Sequence, residues 1–112
     1  MSENKYLNAA ASHFKALPIQ EIVVPEWVVD GTPLKIFWRQ RNVLQDAKIF
    51  ADGMDNTRFV DVVIMLARDA SDRPMFTLED KQALLRAVDP EIIKRIALAM
   101  LKAPSIEQAE KN

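Results

Sequence analysis

The chain of 112 residues contains no cysteine. Disulfides, thiolate nucleophiles and cysteine-ligated metals are therefore excluded, and an ordinary reducing cytoplasm is the simplest setting. Glycine occurs only twice, at Gly31 and Gly53. A phosphate-cradling loop needs several glycines so that the backbone can approach the ligand, and this chain has too few to build one of the familiar kind. His13 is the only histidine, with no acid near it at metal-ligand spacing. It reads as a solvated side chain rather than a zinc ligand or a triad base. Charge of one sign is also missing: 15 basic and 16 acidic residues give a net charge of -1. That balance argues against broad electrostatic binding to nucleic acid or anionic lipid. No apolar run approaches the roughly 20 residues that a membrane-spanning helix takes, and the N-terminus lacks the order of a signal peptide.

What is present is ordinary for one globular domain: 49% hydrophobic and 28% charged residues. A chain of this length can hold a modest core without staples. Residues 2–17 form a helical candidate, with Ser2 as a possible cap and Tyr6, Leu7, Ala10, Phe14 and Leu17 on one side; a frayed terminal arm is the competing reading. Pro18 ends it. Residues 20–29 have strand composition, interrupted by Pro25, which implies an edge or a bulge there. Asp30-Gly31 is a hairpin turn signal. The returning strand alternates Leu34, Ile36 and Trp38 with Lys35, Phe37 and Arg39. A hairpin alone is unstable, so helices must cover one face.

Asn42 is a candidate cap for a helix over 43–51, with Val43, Leu44, Ala47, Phe50 and Ala51 at helical spacing and Gly53 as a stop. Asn56 or Thr57 opens the next helix, carrying Phe59, Val60, Val63, Ile64 and Ala67, widened by Val62, Met65 and Leu66. It reads as the central core helix. Its β-branched residues would also suit a strand, so its type stays open. Residues 68–75 read as a polar loop. Thr77, with Asp80 three residues on, is a capping-box variant that opens a helix carrying Leu78, Ala83, Leu84, Leu85 and Val88. Asp89-Pro90 starts a last helix with a stripe of Ile92, Ile93, Ile96, Ala97 and Met100. The organisation expected is an N-terminal helical arm over 1–18, a domain over 19–102 and a flexible tail over 103–112. The fold class is α+β, predominantly α-helical, with an N-terminal β-hairpin packed on a bundle of three to four helices.

Chemistry is hard to find. Acid pairs occur at Asp52/Asp55, Asp69/Asp72 and Glu79/Asp80, and each sits in a turn or at a cap, where carboxylates serve helix ends. Trp38-Arg39-Gln40-Arg41 sets basic groups beside an aromatic, as in stacking on single-stranded nucleic acid, but reads more simply as a strand end meeting solvent. Trp27, Val29, Phe37 and Trp38 cannot all point inward from alternating strands. Some exposed aromatic surface is expected, and with it a partner or self-assembly. On hydrophobicity and position, Trp27, Phe37, Trp38 and Met75 are the candidate protein-binding residues; no catalytic, cofactor-binding or metal-binding residue stands out.

The order of these pieces resembles the tail assembly chaperones of long-tailed bacteriophages and prophages. The likeness covers roughly residues 21–102. It rests on Glu21-Ile-Val-Val-Pro-Glu-Trp27 opening a hairpin and residues 34–39 returning, an Asp-rich helix pair ending at Arg68-Asp69, then Met75-Phe-Thr-Leu-Glu-Asp80 and an isoleucine-rich last helix. The resemblance implies a protein that is not an enzyme and uses no cofactor. It implies binding to the tape measure protein, keeping it soluble in the host cytoplasm during tail assembly, with tail tube protein as a further partner. It also implies self-association and absence from the finished virion. The rivals are an unrelated bacterial protein-binding adaptor or regulatory module using the aromatic hairpin, and a small enzyme with acids at Asp69, Asp72 and Asp80.

Overall fold

The computed structural model describes residues 4–102. Ser2 and the segment from 103 on, expected as a cap and a tail, lie outside the described residues. Asn4 caps the first helix, α1 (Lys5–Ala16), accepting from the backbone N–H groups of Tyr6 and Leu7. It ends before Pro18, with Leu17 in the extended conformation that a following proline favours.

The chain then forms the hairpin β1 (Gln20–Val29) and β2 (Thr32–Trp38), paired antiparallel. Asp30 and Gly31 both adopt positive φ, 53° and 78°. Two successive left-handed residues match the twist of the flanking strands, which is why an aspartate-glycine pair closes this loop. Val24 pairs with Leu34, yet Val28 pairs with Pro33. Residues 25–27 are therefore extra on β1, and the irregularity expected from Pro25 is a bulge of three residues. Arg68 extends the sheet: it exchanges both backbone hydrogen bonds with Phe37, at 2.9 and 2.8 Å. The segment expected as a polar loop thus contributes a bridge on the free edge of β2.

Four helices follow. α2 (Val43–Phe50) begins with a reciprocal capping box between Asn42 and Gln45. α3 (Asn56–Leu66) opens at Asn56, one of the two positions expected, is capped by Asp55, and is a helix despite its β-branched run. A 3-10 turn (Leu78–Asp80) leads into α4 (Lys81–Arg86). α5 (Pro90–Leu101) is capped by Asp89 with proline in its first turn. This is the expected α+β architecture, a two-stranded N-terminal hairpin with a small helical bundle.

α3 is the hub, packing on α5, α4 and α2, while α5 also touches β1. Ile92, Ile93, Ile96, Ala97 and Met100 of α5 are all buried, against Phe59, Val60, Val62, Val63 and Leu66 of α3 and Val24, Ile36 and Trp38 of the hairpin. The bulge is fixed by an ion pair between Glu26 and Arg95 of α5 at 2.6 Å.

Three apolar groups that the sequence places on helices stay outside the core. In α2 only Ile49 is buried, while the stripe of Val43, Leu44, Ala47 and Phe50 faces outward. Ile49 lies off that stripe, so the helix is rotated from the orientation that periodicity implies. In α1 no residue is buried. Leu78, expected as part of the helix that Thr77 opens, is exposed in the 3-10 turn before it.

Candidate protein-binding surfaces

Strand alternation decides where the four candidate residues fall. Gln20 pairs with Trp38, Ile22 with Ile36 and Val24 with Leu34, and these pairs share the inner face. Trp38 is only 3% exposed. It is a core residue with its indole enclosed, so the expectation that it contributes to a contact surface is corrected. Phe37 lies on the opposite face and is half-buried. Trp27 sits in the bulge, where the extra residues let it turn back and pack against the core. Met75 is half-buried against the same core, its N–H bonded to the Ala67 carbonyl. Of the four, none is a fully exposed anchor.

The exposed apolar side chains lie elsewhere. The hairpin presents Val23, Val28 (60% exposed) and Val29. α1 presents Tyr6 (76% exposed), Leu7 and Phe14. α2 presents Val43 (87% exposed), Leu44 (66%) and Phe50. Sequence reasoning named those of α1 and α2 as helix faces and singled out none of them for a contact surface. α2 is tied to the body chiefly at its C-terminal end. Its links to the body are few: Ile49, and the guanidinium of Arg58 donating to the carbonyls of Lys48 and Ile49. Arg41 adds an ion pair to Asp46 at 2.6 Å and a bond to the Met100 carbonyl.

The polar clusters are satisfied internally. A shallow cavity of about 300 Å³ is lined by Ile19, Glu21, Phe37, Trp38, Arg68, Asp69, Ala70 and Asp72. Asp69 and Asp72 meet there, but Asp80 does not. Asp69 accepts from the N–H groups of Ser71 and Arg73 in a tight loop, and the Arg73 N–H above all holds its carboxyl below the usual range. Asp72 pairs with Arg39 at 3.3 Å and with Arg68 at 3.9 Å. Asp80 accepts from the Thr77 N–H. These carboxylates hold backbone and arginine in place, which is capping and loop chemistry. Arg39 and Arg41, read as a possible basic patch, are tied to Asp72 and Asp46.

Among the described residues no cluster of three or more histidine, cysteine or acidic groups is arranged to hold a metal ion. No helix there is long and apolar enough to cross a membrane. Comparison of the chain with protein-family models, with curated proteins and with solved structures gives no match in any of the three.

Proposed function

We propose that the chain is a tail assembly chaperone of a long-tailed phage or prophage. It binds the tape measure protein in the bacterial cytoplasm, holds it soluble while the tail tube assembles, and does not stay in the virion. The observation that carries the reading is the amount of apolar surface left open on a well-packed body: the hairpin valines and the faces of α1 and α2 are uncovered. Open apolar surface of this extent fits a binding protein better than a pocket chemistry does. The resemblance of residues 21–102 gives that surface its client.

The distal hairpin is the client-binding part of this proposal. Val28 and Val29 point outward beside the turn, and β1 has no strand on its outer edge. An extended or helical apolar segment can lie there with backbone and side-chain contacts. Trp27 backs this surface from within the bulge. The test is co-expression with the tape measure protein, followed by sizing. Soluble co-elution is expected, and Val28→Lys should abolish it while the chaperone remains folded. A tape measure protein that stays insoluble beside a folded chain would overturn the reading.

A further inference from the structure

The two edges of the sheet are built differently. In an antiparallel pair, opposed residues alternate between those that bond across to each other and those whose backbone groups point away. Phe37 exchanges both its bonds with Arg68, so Phe37 and its partner Glu21 point away from each other. Gln20 with Trp38, Ile22 with Ile36 and Val24 with Leu34 are therefore the pairs that bond across. It follows that the N–H and C=O groups of Glu21 and Val23 point to the outer edge of β1.

The edge of β2 is closed. Arg68 occupies it at Phe37, Lys35 sets a charge beside it, and Pro33 has no N–H to offer. These are devices by which proteins keep a strand edge from pairing. From Ile19 to Val24 the edge of β1 has no bridge and no proline, and its single charge is Glu21. Among the described residues no backbone group outside the hairpin bonds to Glu21 or Val23. The side chains of Ile19 and Val23 flank these groups, 52% and 46% exposed. Pro18 and the bulge at Pro25 mark the two ends of the open stretch.

We infer that this edge takes an extended segment of a partner protein as an added strand, with a lysine or arginine of that segment opposite Glu21 and apolar side chains beside Ile19 and Val23. The occupant follows from the chemistry of the edge. A line of open N–H and C=O groups is matched by an extended backbone and not by a helix, whose own groups are already bonded. Glu21 is exposed and makes no ion pair with any described residue, unlike Glu26, Asp69 and Asp72 around it. A basic residue directly opposite supplies the missing charge, and an acid there is repelled. The same repulsion opposes a second β1 paired about Glu21, where the carboxylate would meet its own copy. Glu21 also borders the shallow cavity lined by Phe37, where the stem of a long basic side chain has an apolar wall to lie on. The open stretch lies on the other side of the bulge from Val28 and Val29, and the inference stands whichever protein supplies the segment.

The test uses the full chain and a synthetic peptide, Thr-Val-Thr-Lys-Thr-Val-Thr, capped at both ends, which sets the lysine and two valines on one side of a strand. Titration is followed by NMR of the backbone amides. The amides of Glu21 and Val23 should shift and gain protection from exchange, while those of Ile22 and Val24, already bonded to β2, should change little. Replacing the peptide's lysine with glutamate should weaken binding by at least about fivefold. Glu21→Lys in the chain should reverse that preference, and circular dichroism should show this variant folded, because position 21 is exposed. No binding of the lysine peptide overturns the inference. So do shifts confined to α1, α2 or the hairpin turn, and so does equal binding of the lysine and glutamate peptides.

A second measurement needs no variant of the chain. One peptide is methylated on the nitrogens of its lysine and valines, another on the nitrogens of the two threonines beside the lysine. Both keep every side chain, but in an added strand one set of N–H groups faces β1 and the other faces away. One peptide should bind as before and the other should lose binding. Equal binding of the two would overturn strand addition. A chain that dimerises without peptide, with Glu21 and Val23 already protected, would overturn the choice of occupant.

Discussion

α5 and α2 carry the same kind of sequence pattern and meet opposite fates. Ile92, Ile93, Ile96, Ala97 and Met100 of α5 are buried to the last residue, while Val43, Leu44, Ala47 and Phe50 of α2 face outward. Periodicity reports that a helix has an apolar face. It does not report whether the same chain supplies something to cover it. For α5 the chain supplies α3 and the hairpin. For α2 it supplies mainly one isoleucine contact and two arginines, and the stripe stays exposed. A buried stripe and an open one can therefore carry the same sequence signal.

The largest effect should separate the two stripes directly. Ile96→Ala removes a side chain with no exposed surface from the centre of α5. It should cost about 2–5 kcal/mol in chemical denaturation, as transfer and cavity terms add. Leu44→Ala, the same kind of truncation on the outer face of α2, should change the stability of dilute protein by less than about 0.5 kcal/mol. A large loss from Leu44→Ala would break the comparison.

Next in size is Arg58→Met. If α2 is held by its corner and not by its stripe, removing the guanidinium that donates to the Lys48 and Ile49 carbonyls near the end of α2 and pairs with Asp61 should matter. Hydrogen bonds from a charged donor are worth about 1.5–3 kcal/mol where they are partly buried. The loss should come with faster amide exchange in α2 alone, read by NMR.

Acid should act on the packed side of the molecule. Glu26, Asp55 and Asp69 have carboxyls below their usual range, chiefly because Arg95, Thr57 and the Arg73 N–H hydrogen-bond them in the folded state. A depressed pKa in the fold means stability that is complete above the unfolded value and lost as pH falls through the folded one. The melting temperature should therefore hold from neutral pH to just above about 4, then fall below it. Glu26→Gln should flatten part of that fall by loosening the bulge from α5. The smallest effect belongs to Leu98, on the outer side of α5. Leu98→Lys should be neutral within about 0.5 kcal/mol, because its position, and not its helix, decides its weight.

Much of the fold was legible because its signals are local. Asp30-Gly31 specified the turn, Asn42 and Asp89 the caps, Pro25 the bulge and the isoleucines the stripe of α5. Other features depend on the whole chain. Nothing near Arg68 announces that it will pair with Phe37, thirty-one positions earlier. For Trp38 the local signal was present and was overridden: its alternation with Lys35 and Arg39 puts it on the same face as Leu34 and Ile36, and that face packs inward. A bulge of three residues, rather than one, decides that Trp27 turns inward. The β-branched run of α3 was ambiguous because burial on most sides suits a strand and a helix equally. Of the candidate binding residues, hydrophobicity chose those that the core also wants. The side chains left over for a partner were the less conspicuous valines and leucines.

The central claim is that α3 and α5 form the packed body while α1 and α2 leave their apolar faces uncovered. Amide hydrogen exchange of the full chain at several concentrations tests it most directly. The account expects α3 and α5 to be protected to the limit set by global unfolding at every concentration. It expects α1 amides to exchange far faster than these, because no α1 side chain is buried. Strong protection of α1 in dilute solution, equal to that of α5 and independent of concentration, would contradict it.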